Sequence, residues 1–274
     1  MSRAPIVIRS AKNERLRDVR ALGTAHGRKK QGRFLLEGPK VVEEALALRP
    51  GWLEQVLVRE GAADARVERV LARAGDLDLA CAIVAPEVFD GLAASEQPQP
   101  LLAVARQAWT DLPDLLGGAA DAGARRGVVA LAGVQDPGNV GTILRSARFF
   151  GLAGAVLLPG AQDPWSPKVV RASAGALLAA PPARAPDLPA LLAAARAAGL
   201  TPVALDAHAG PDPRREPGAL PGRALLLLGA EGGGLPADLA ADVRRVRLAP
   251  ADATAESLNV AVAFGVVAAL WAGG

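Results

Sequence analysis

From residue 33 onward the chain alternates short apolar runs with stretches in which apolar residues recur every three or four positions. The segment RFLLEGPKVVEEALAL (33–48) predicts a strand, a Gly-Pro turn and an amphipathic helix. LEQVLVRE (strand), DARVERVLARAG (helix), LACAIVAP (strand) and PEVFDGLAAS (helix) continue the alternation, and PLLAVARQ adds an apolar strand after proline-rich punctuation. Together these predict a small α/β layer of about 75 residues. Residues 110–126, TDLPDLLGGAADAGARR, are rich in Gly, Ala and Asp and read as a linker. The expected division is a first domain over 1–110, a linker over 111–126 and a second domain over 127–274.

The second half restarts the alternation more strongly. GVVALAGV (127–134) is a continuous apolar run of the kind buried on both faces of a parallel sheet. QDPGNVG reads as a turn and TILRSARFF as a helix stopped by Gly151. GAVLLP is the next strand, PKVVRASAGALLA and LPALLAAARAAG are helices, and LTPVALD is a strand. A loop rich in Pro and Asp (206–222) leads to RALLLLG (strand), AEGGGLP (turn), VRRVRL (strand) and APADATAE (loop). A final apolar helix follows, with Thr254 or Ser257 as its cap. In parallel sheets ligand sites form at the carboxyl ends of the strands, where these turns lie.

Composition narrows the chemistry. The single cysteine, Cys81, excludes an internal disulfide and reads as a small buried hydrophobe; with His26 and His208 the only histidines, no metal site is expected. No apolar run reaches the roughly 18 residues of a membrane span, and MSRAPIVIRSAKNER lacks the apolar core of an export signal, so a cytoplasmic location is expected. The net charge of +3 is unevenly spread. Residues 1–33 hold ten Lys or Arg against Glu14 and Asp18, a balance of +8, which leaves −5 for the remaining 241 residues. A basic arm on a mildly acidic body points either to a polyanion partner, most simply nucleic acid, or to a solvated charged helix. With five Phe, four Trp and no Tyr, phosphate contacts rather than base stacking are expected to dominate recognition.

Three turns carry the candidate chemistry: DPGNVGTILR (136–145), LGAEGGGLP (228–236) and LAPADATAESLNV (248–260). Gly-rich turns after strands let backbone amides approach a ligand closely. GAEGGG is not a dinucleotide fingerprint, because its glycine spacing is wrong and Leu235-Pro236 interrupts the helix that would bind a pyrophosphate. Taken together and in this order, the three turns resemble the three motifs of the SpoU (TrmH) family of RNA ribose 2'-O-methyltransferases, of the SPOUT class. Ala249 follows Gly229 by 20 residues and Leu258 follows Ala249 by 9, which agrees with that family's spacing. In the first half, SAKNERLRDVRAL and FLLEGPKVVEEAL are similar to stretches that recur in the family's substrate-binding domain.

The resemblance implies an α/β protein. Its C-terminal parallel-sheet domain would carry a deep trefoil knot, and its smaller N-terminal α/β substrate-binding domain would resemble a ribosomal-protein (L30e-like) fold. It also implies a homodimer with each site near the interface, and methyl transfer from S-adenosylmethionine to a ribose 2'-hydroxyl of RNA. Such an enzyme must hold the donor, place the hydroxyl in line and help a weak acid lose its proton. Donor binding maps to Gly229, Ala249, Leu258 and Gly234. Asn139, Arg145, Glu231, Ser257 and Asn259 map to the reacting site, and Arg15, Arg28, Lys29, Lys30 and Arg171 to RNA contacts.

An arginine keeps its proton, so the expected work of Arg145 is to orient a phosphate and stabilise a developing alkoxide, with a phosphate oxygen or water taking the proton; the family's general-base role is the other option. Two departures stand out. The usual Ile-Pro-Met-x-Gly run reads Ala249-Pro250-Ala251-Asp252-Ala253, and PQP (98–100) replaces Pro-Gln-Gly. Ribosomal RNA is the expected target. The alternatives are a transfer-RNA 2'-O-methyltransferase, a catalytically impaired RNA-binding member of the same family, and an unrelated nucleotide-dependent α/β enzyme.

Overall fold

The computed structural model describes residues 5–119, 127–235, 239, 243–252 and 257–273. The first elements are β1 (Ile6–Ile8), α1 (Glu14–Ala21), α2 (Ala25–Gln31), β2 (Arg33–Glu37), α3 (Pro39–Leu48) and β3 (Leu53–Arg59). Next come α4 (Ala65–Asp76), β4 (Ala80–Val84), α5 (Pro86–Asp90), β5 (Leu101–Arg106) and α6 (Leu112–Gly118). The second half contains β6 (Val128–Leu131), α7 (Pro137–Phe149), β7 (Gly154–Leu157), α8 (Pro167–Ala172), α9 (Ala176–Ala179) and β8 (Ala183–Arg184). It ends with α10 (Leu188–Ala197), β9 (Thr201–Leu205), β10 (Ala224–Leu228), β11 (Arg244–Val246) and α11 (Val260–Gly273). The chain forms two compact units, Met1–Ala108 with Asp163–Ala179, and Trp109–Gln162 with Ala180–Gly274.

The first unit is built on a mixed sheet of order β1-β4-β3-β5-β2, in which β1, β4 and β3 run parallel and β5 is antiparallel to both β3 and β2. Helix α4 forms because Asp64 caps it, accepting the Arg66 N–H, and because Val67, Val70 and Ala74 recur on the face it buries. The stretch PKVVRASAGALLA is two helices rather than one. Ala174 (φ 45°) and Gly175 (φ 81°) break it, and a Cβ on Gly175 would lie 2.1 Å from a Glu44 carboxylate oxygen. Trp165, at the head of this segment, packs against Phe34 on β2 with ring centroids 4.7 Å apart and planes tilted by 47°.

The second unit carries a fully parallel sheet of order β11-β9-β10-β6-β7-β8. Every residue of β6, β7 and β10 is buried, as strands covered on both faces require. Part of the expected linker is helical: α6 buries Leu115 and Leu116 in the core of this unit, while 120–126 lie outside the described residues. The expected turn QDPGNVG is in fact the start of α7. Asp136 caps it through Asn139 N–H, and Pro137 fits the first helical position, where no N–H is needed. The last helix is anchored by Trp271, whose Nε1 donates to Pro221 O at 2.7 Å and whose ring fills the space left by Gly127. Among the described residues no helix is long and apolar enough to cross a membrane.

Candidate active site

The site grows from the ends of β6, β10 and β11 in the second unit. After β10 the chain makes a closed five-residue turn, with Ala230 N–H donating to Gly234 O (3.1 Å) and Gly234 N–H to Ala230 O (2.9 Å). Gly234 takes φ +64°, and Gly229 is buried beneath the turn. A Cβ at 229 would stand 2.2 Å from the Gly234 carbonyl carbon, so only glycine fits. Glu231, at the tip, turns its carboxylate to the start of α7. It accepts the backbone N–H groups of Gln135 and Asp136, each at 3.4 Å, and the side-chain Nδ2 of Asn139 at 3.0 Å.

Asn139 passes the chain on: its Oδ1 accepts from Asn259 Nδ2 at 2.9 Å. Asn259 Oδ1 in turn accepts from Ala261 N (2.9 Å) and Val262 N (3.3 Å), capping α11. The expected caps are therefore corrected. Ser257 lies two residues before Asn259 and is exposed, and Thr254 lies outside the described residues.

The direction of these bonds is dictated by the two ends. A carboxylate only accepts and helix N–H groups only donate, so both amides can face one way only. Burial works against the charge of Glu231, but the Asn139 amide and the backbone N–H groups of Glu231, Gln135 and Asp136 outweigh it and hold its carboxyl below the ordinary range. All three sequence motifs meet in this one hydrogen-bonded chain.

Arg145, six residues beyond Asn139 on α7, is exposed, as are Ser257 and Leu258, and none of the three is a member of the chain. Ala249 is held by its backbone, donating N–H to Asp212 Oδ2 (3.1 Å) and accepting from Arg214 through its carbonyl. Sequence reasoning missed Asp212 and Arg214, because DPRR in a proline-rich loop has no signature of its own. A cleft of about 550 Å³ opens beside the motif turns, lined by Ala132, Gly133, Leu158, Asp187, Gly234 and Leu235 among others. Among the described residues no group of three or more His, Cys, Asp or Glu could hold a metal ion.

In the first unit, Arg15, Lys29 and Lys30 are exposed. Arg28 is not, and its expected RNA contact is corrected. Its side chain is 4 % exposed, with Nε bonded to Asp163 Oδ2 at 2.7 Å and Nη1 to Leu22 O at 3.0 Å. The neighbouring Gly27 packs α2 closely, since a Cβ there would meet Ala21 O at 1.9 Å. Arg171 pairs with the nearly buried Glu37 carboxylate at 3.6 Å.

Residues 126–269 match the model of the SpoU rRNA methylase family, and residues 13–103 match that of an MRM3-like substrate binding domain. The chain belongs to the SpoU rRNA methylase family. It is 31% identical over 264 residues to the 23S rRNA (guanosine(2553)-2'-O)-methyltransferase RlmP of Bacillus subtilis, covering 95% of this chain and 96% of that one. Among solved structures it is similar to the AdoMet-bound rRNA methyltransferase from Sinorhizobium meliloti (TM-score 0.84, 31% identity, 97% of this chain and 96% of that one). It is also similar to the SpoU methyltransferase AviRb from Streptomyces viridochromogenes in complex with AdoMet (TM-score 0.78, 26% identity, 95% and 97%). The hydrogen-bonded chain thus joins motifs of a SpoU domain.

Proposed function

We propose that this SpoU protein methylates a ribose 2'-hydroxyl of ribosomal RNA, in the large subunit. Family membership makes it an S-adenosylmethionine-dependent RNA 2'-O-methyltransferase. The observation that carries the reading is the chain Glu231–Asn139–Asn259, which ties the three motifs together by side-chain hydrogen bonds.

The residues present fit the donor. Gly234 leaves open space where a side chain would stand, Gly229 lets the turn close tightly beneath it, and Ala249 and Leu258 offer backbone groups to the donor. When bound there, S-adenosylmethionine supplies an electrophilic methyl group on a sulfonium. Arg145 is exposed on α7 and its guanidinium is suited to a phosphate and to the charge that grows on the ribose oxygen. Glu231 is a poor proton acceptor: both oxygens are committed and its carboxyl sits low, so a phosphate oxygen or water is the better base.

RNA would be held by the exposed Arg15, Lys29 and Lys30 of a first unit that resembles the ribosomal-protein (L30e-like) fold. The chain leaves β11 at one edge of the sheet and ends in α11, packed on α7. That placement of the last helix beside α7, after a strand at the far edge, supports the trefoil knot that the family resemblance implies. The exposed apolar residues of α11 support a homodimer, and the work is placed in the cytoplasm with the RNA.

The test is methyl transfer from labelled S-adenosylmethionine to ribosomal RNA from a strain lacking this protein. One labelled ribose is expected, and Arg145→Ala should lower kcat by about 100-fold or more while leaving the donor Kd in place. Absence of label with wild-type protein, or full activity of the variant, defeats the reading.

A further inference from the structure

The loop between β9 and β10 is tightly built onto β11 and the loop that follows it. Asp206 Oδ1 accepts from His208 N (2.8 Å) and Ala209 N (3.1 Å), and its Oδ2 pairs with Arg245 on β11. Gly210, at φ +105°, passes so close that a Cβ there would lie 2.3 Å from Arg245 O. Arg247 N then donates to Pro211 O at 3.1 Å. At the end of this brace stands Asp212, its side chain 6 % exposed. Asp212 Oδ1 accepts from Arg214 N and Arg214 Nε, each at 3.0 Å, and Oδ2 accepts from Arg214 Nε at 3.1 Å.

The same pair reaches Ala249. Asp212 Oδ2 takes its N–H, and Arg214 Nη2 donates to its carbonyl. A carboxylate and a guanidinium therefore hold both polar backbone groups of the residue that opens the third-motif loop. Pro250 follows and has no N–H of its own to fix the loop. A nearly buried carboxylate is rare unless its partners repay desolvation. Here the Arg214 side chain holds the Asp212 carboxyl well below the ordinary range, burial opposes this, and the N–H groups of Arg214 and Ala249 add to it.

We propose that Asp212 and Arg214 are positioning residues for the donor loop, which fix Ala249 before S-adenosylmethionine arrives and so set donor affinity. The proposal rests on the reading above, in which Ala249 lines the donor site. Pre-organisation of this kind lowers the ordering cost of binding without touching the transferred methyl group.

The experiment compares the full-length wild type with Arg214→Ala, Arg214→Lys and Asp212→Asn. It measures S-adenosylmethionine binding by calorimetry, amide exchange at Ala249, and the split between KM and kcat. Arg214 lies on the surface, and Arg214→Lys keeps a positive charge beside the nearly buried Asp212 carboxylate, so a loss caused only by the stranded charge is separated from a loss of the contact to Ala249. Arg214→Ala is expected to raise the donor Kd and KM by roughly tenfold, with a much smaller change in kcat at saturating donor. Arg214→Lys, which keeps one donor, should recover part of the loss, and Asp212→Asn should speed exchange at Ala249 N–H even without donor. RNA affinity should not follow these changes. If wild-type protein binds S-adenosylmethionine and Arg214→Ala binds it equally well, the positioning role is overturned alone. If wild-type protein binds none, the donor site and this role fall together.

Discussion

At the residue scale, Asn259 serves two structures with one amide: Oδ1 caps α11 and Nδ2 orients Asn139. Asn259→Asp keeps a cap acceptor and replaces the donor by a second oxygen, which faces Asn139 Oδ1 without a hydrogen. It is expected to melt near the wild-type temperature and to lose methyl transfer by tenfold or more, read by thermal denaturation and labelled transfer. Asn259→Ala should lose activity and about 1 kcal/mol of stability. Full activity in the Asn259→Asp protein would reduce Asn259 to a cap.

Asp212 supports a pH prediction. Its folded carboxyl lies below the unfolded value of 3.8, so its contribution is present above that value and is lost as pH falls through the folded one. Wild-type melting temperature should drop more steeply than that of Asp212→Asn on going from about pH 5 to pH 3. Parallel curves would show that the pairing does not contribute to stability. These partnerships were only half legible in the sequence. The motifs name Asn139, Glu231 and Asn259, but nothing in DPRR announces that its carboxylate and guanidinium seize the backbone of a residue 35 and more positions later.

At the element scale, strands were the most readable. The runs GVVALAGV and RALLLLG contain β6 and β10, because burial on two faces demands unbroken apolar sequence, and LEQVLVRE contains β3, whose Leu53, Val56, Leu57 and Val58 are buried. Helix starts were less so. Two glycines made DPGNVG look like a turn, yet Asp136 and Pro137 supply a cap and a fixed φ that begin α7 there. Only the folded chain shows why Ala174 and Gly175 split α8 from α9, since Glu44 of α3 occupies the space beside Gly175. The glycine at 229 is likewise a packing requirement. Gly229→Ala puts a methyl group onto the backbone of Gly234 and Leu235, so the turn must open. Donor binding is expected to fall below detection by calorimetry while circular dichroism stays that of a folded protein. Unchanged affinity would mean that the turn does not line the donor site.

At the scale of the whole molecule, the final helix raises the question of what covers it. Phe264, Val267, Ala268 and Trp271 are buried, whereas Val262 (52 % exposed) and Leu270 (37 %) lie eight residues apart on the opposite stripe. Ala269 is exposed between them, and Leu258, just before the helix, is 54 % exposed. An apolar stripe of this kind on the helix that follows the third motif is costly to leave in water, and a second copy of the chain would remove it. Light scattering of wild-type protein at micromolar concentration is expected to give twice the mass of the chain, and Val262→Glu with Leu270→Glu the mass of one. If the site is completed by the partner, the monomeric variant should also lose methyl transfer while keeping its RNA affinity, which we propose to rest on the exposed Lys29, Lys30 and Arg15 of the other unit. Because those charges are exposed, that affinity should fall steeply with salt in dimer and monomer alike. A wild-type monomer with full activity would instead assign the stripe to another partner and leave the hydrogen-bonded chain of Glu231, Asn139 and Asn259 sufficient within one subunit.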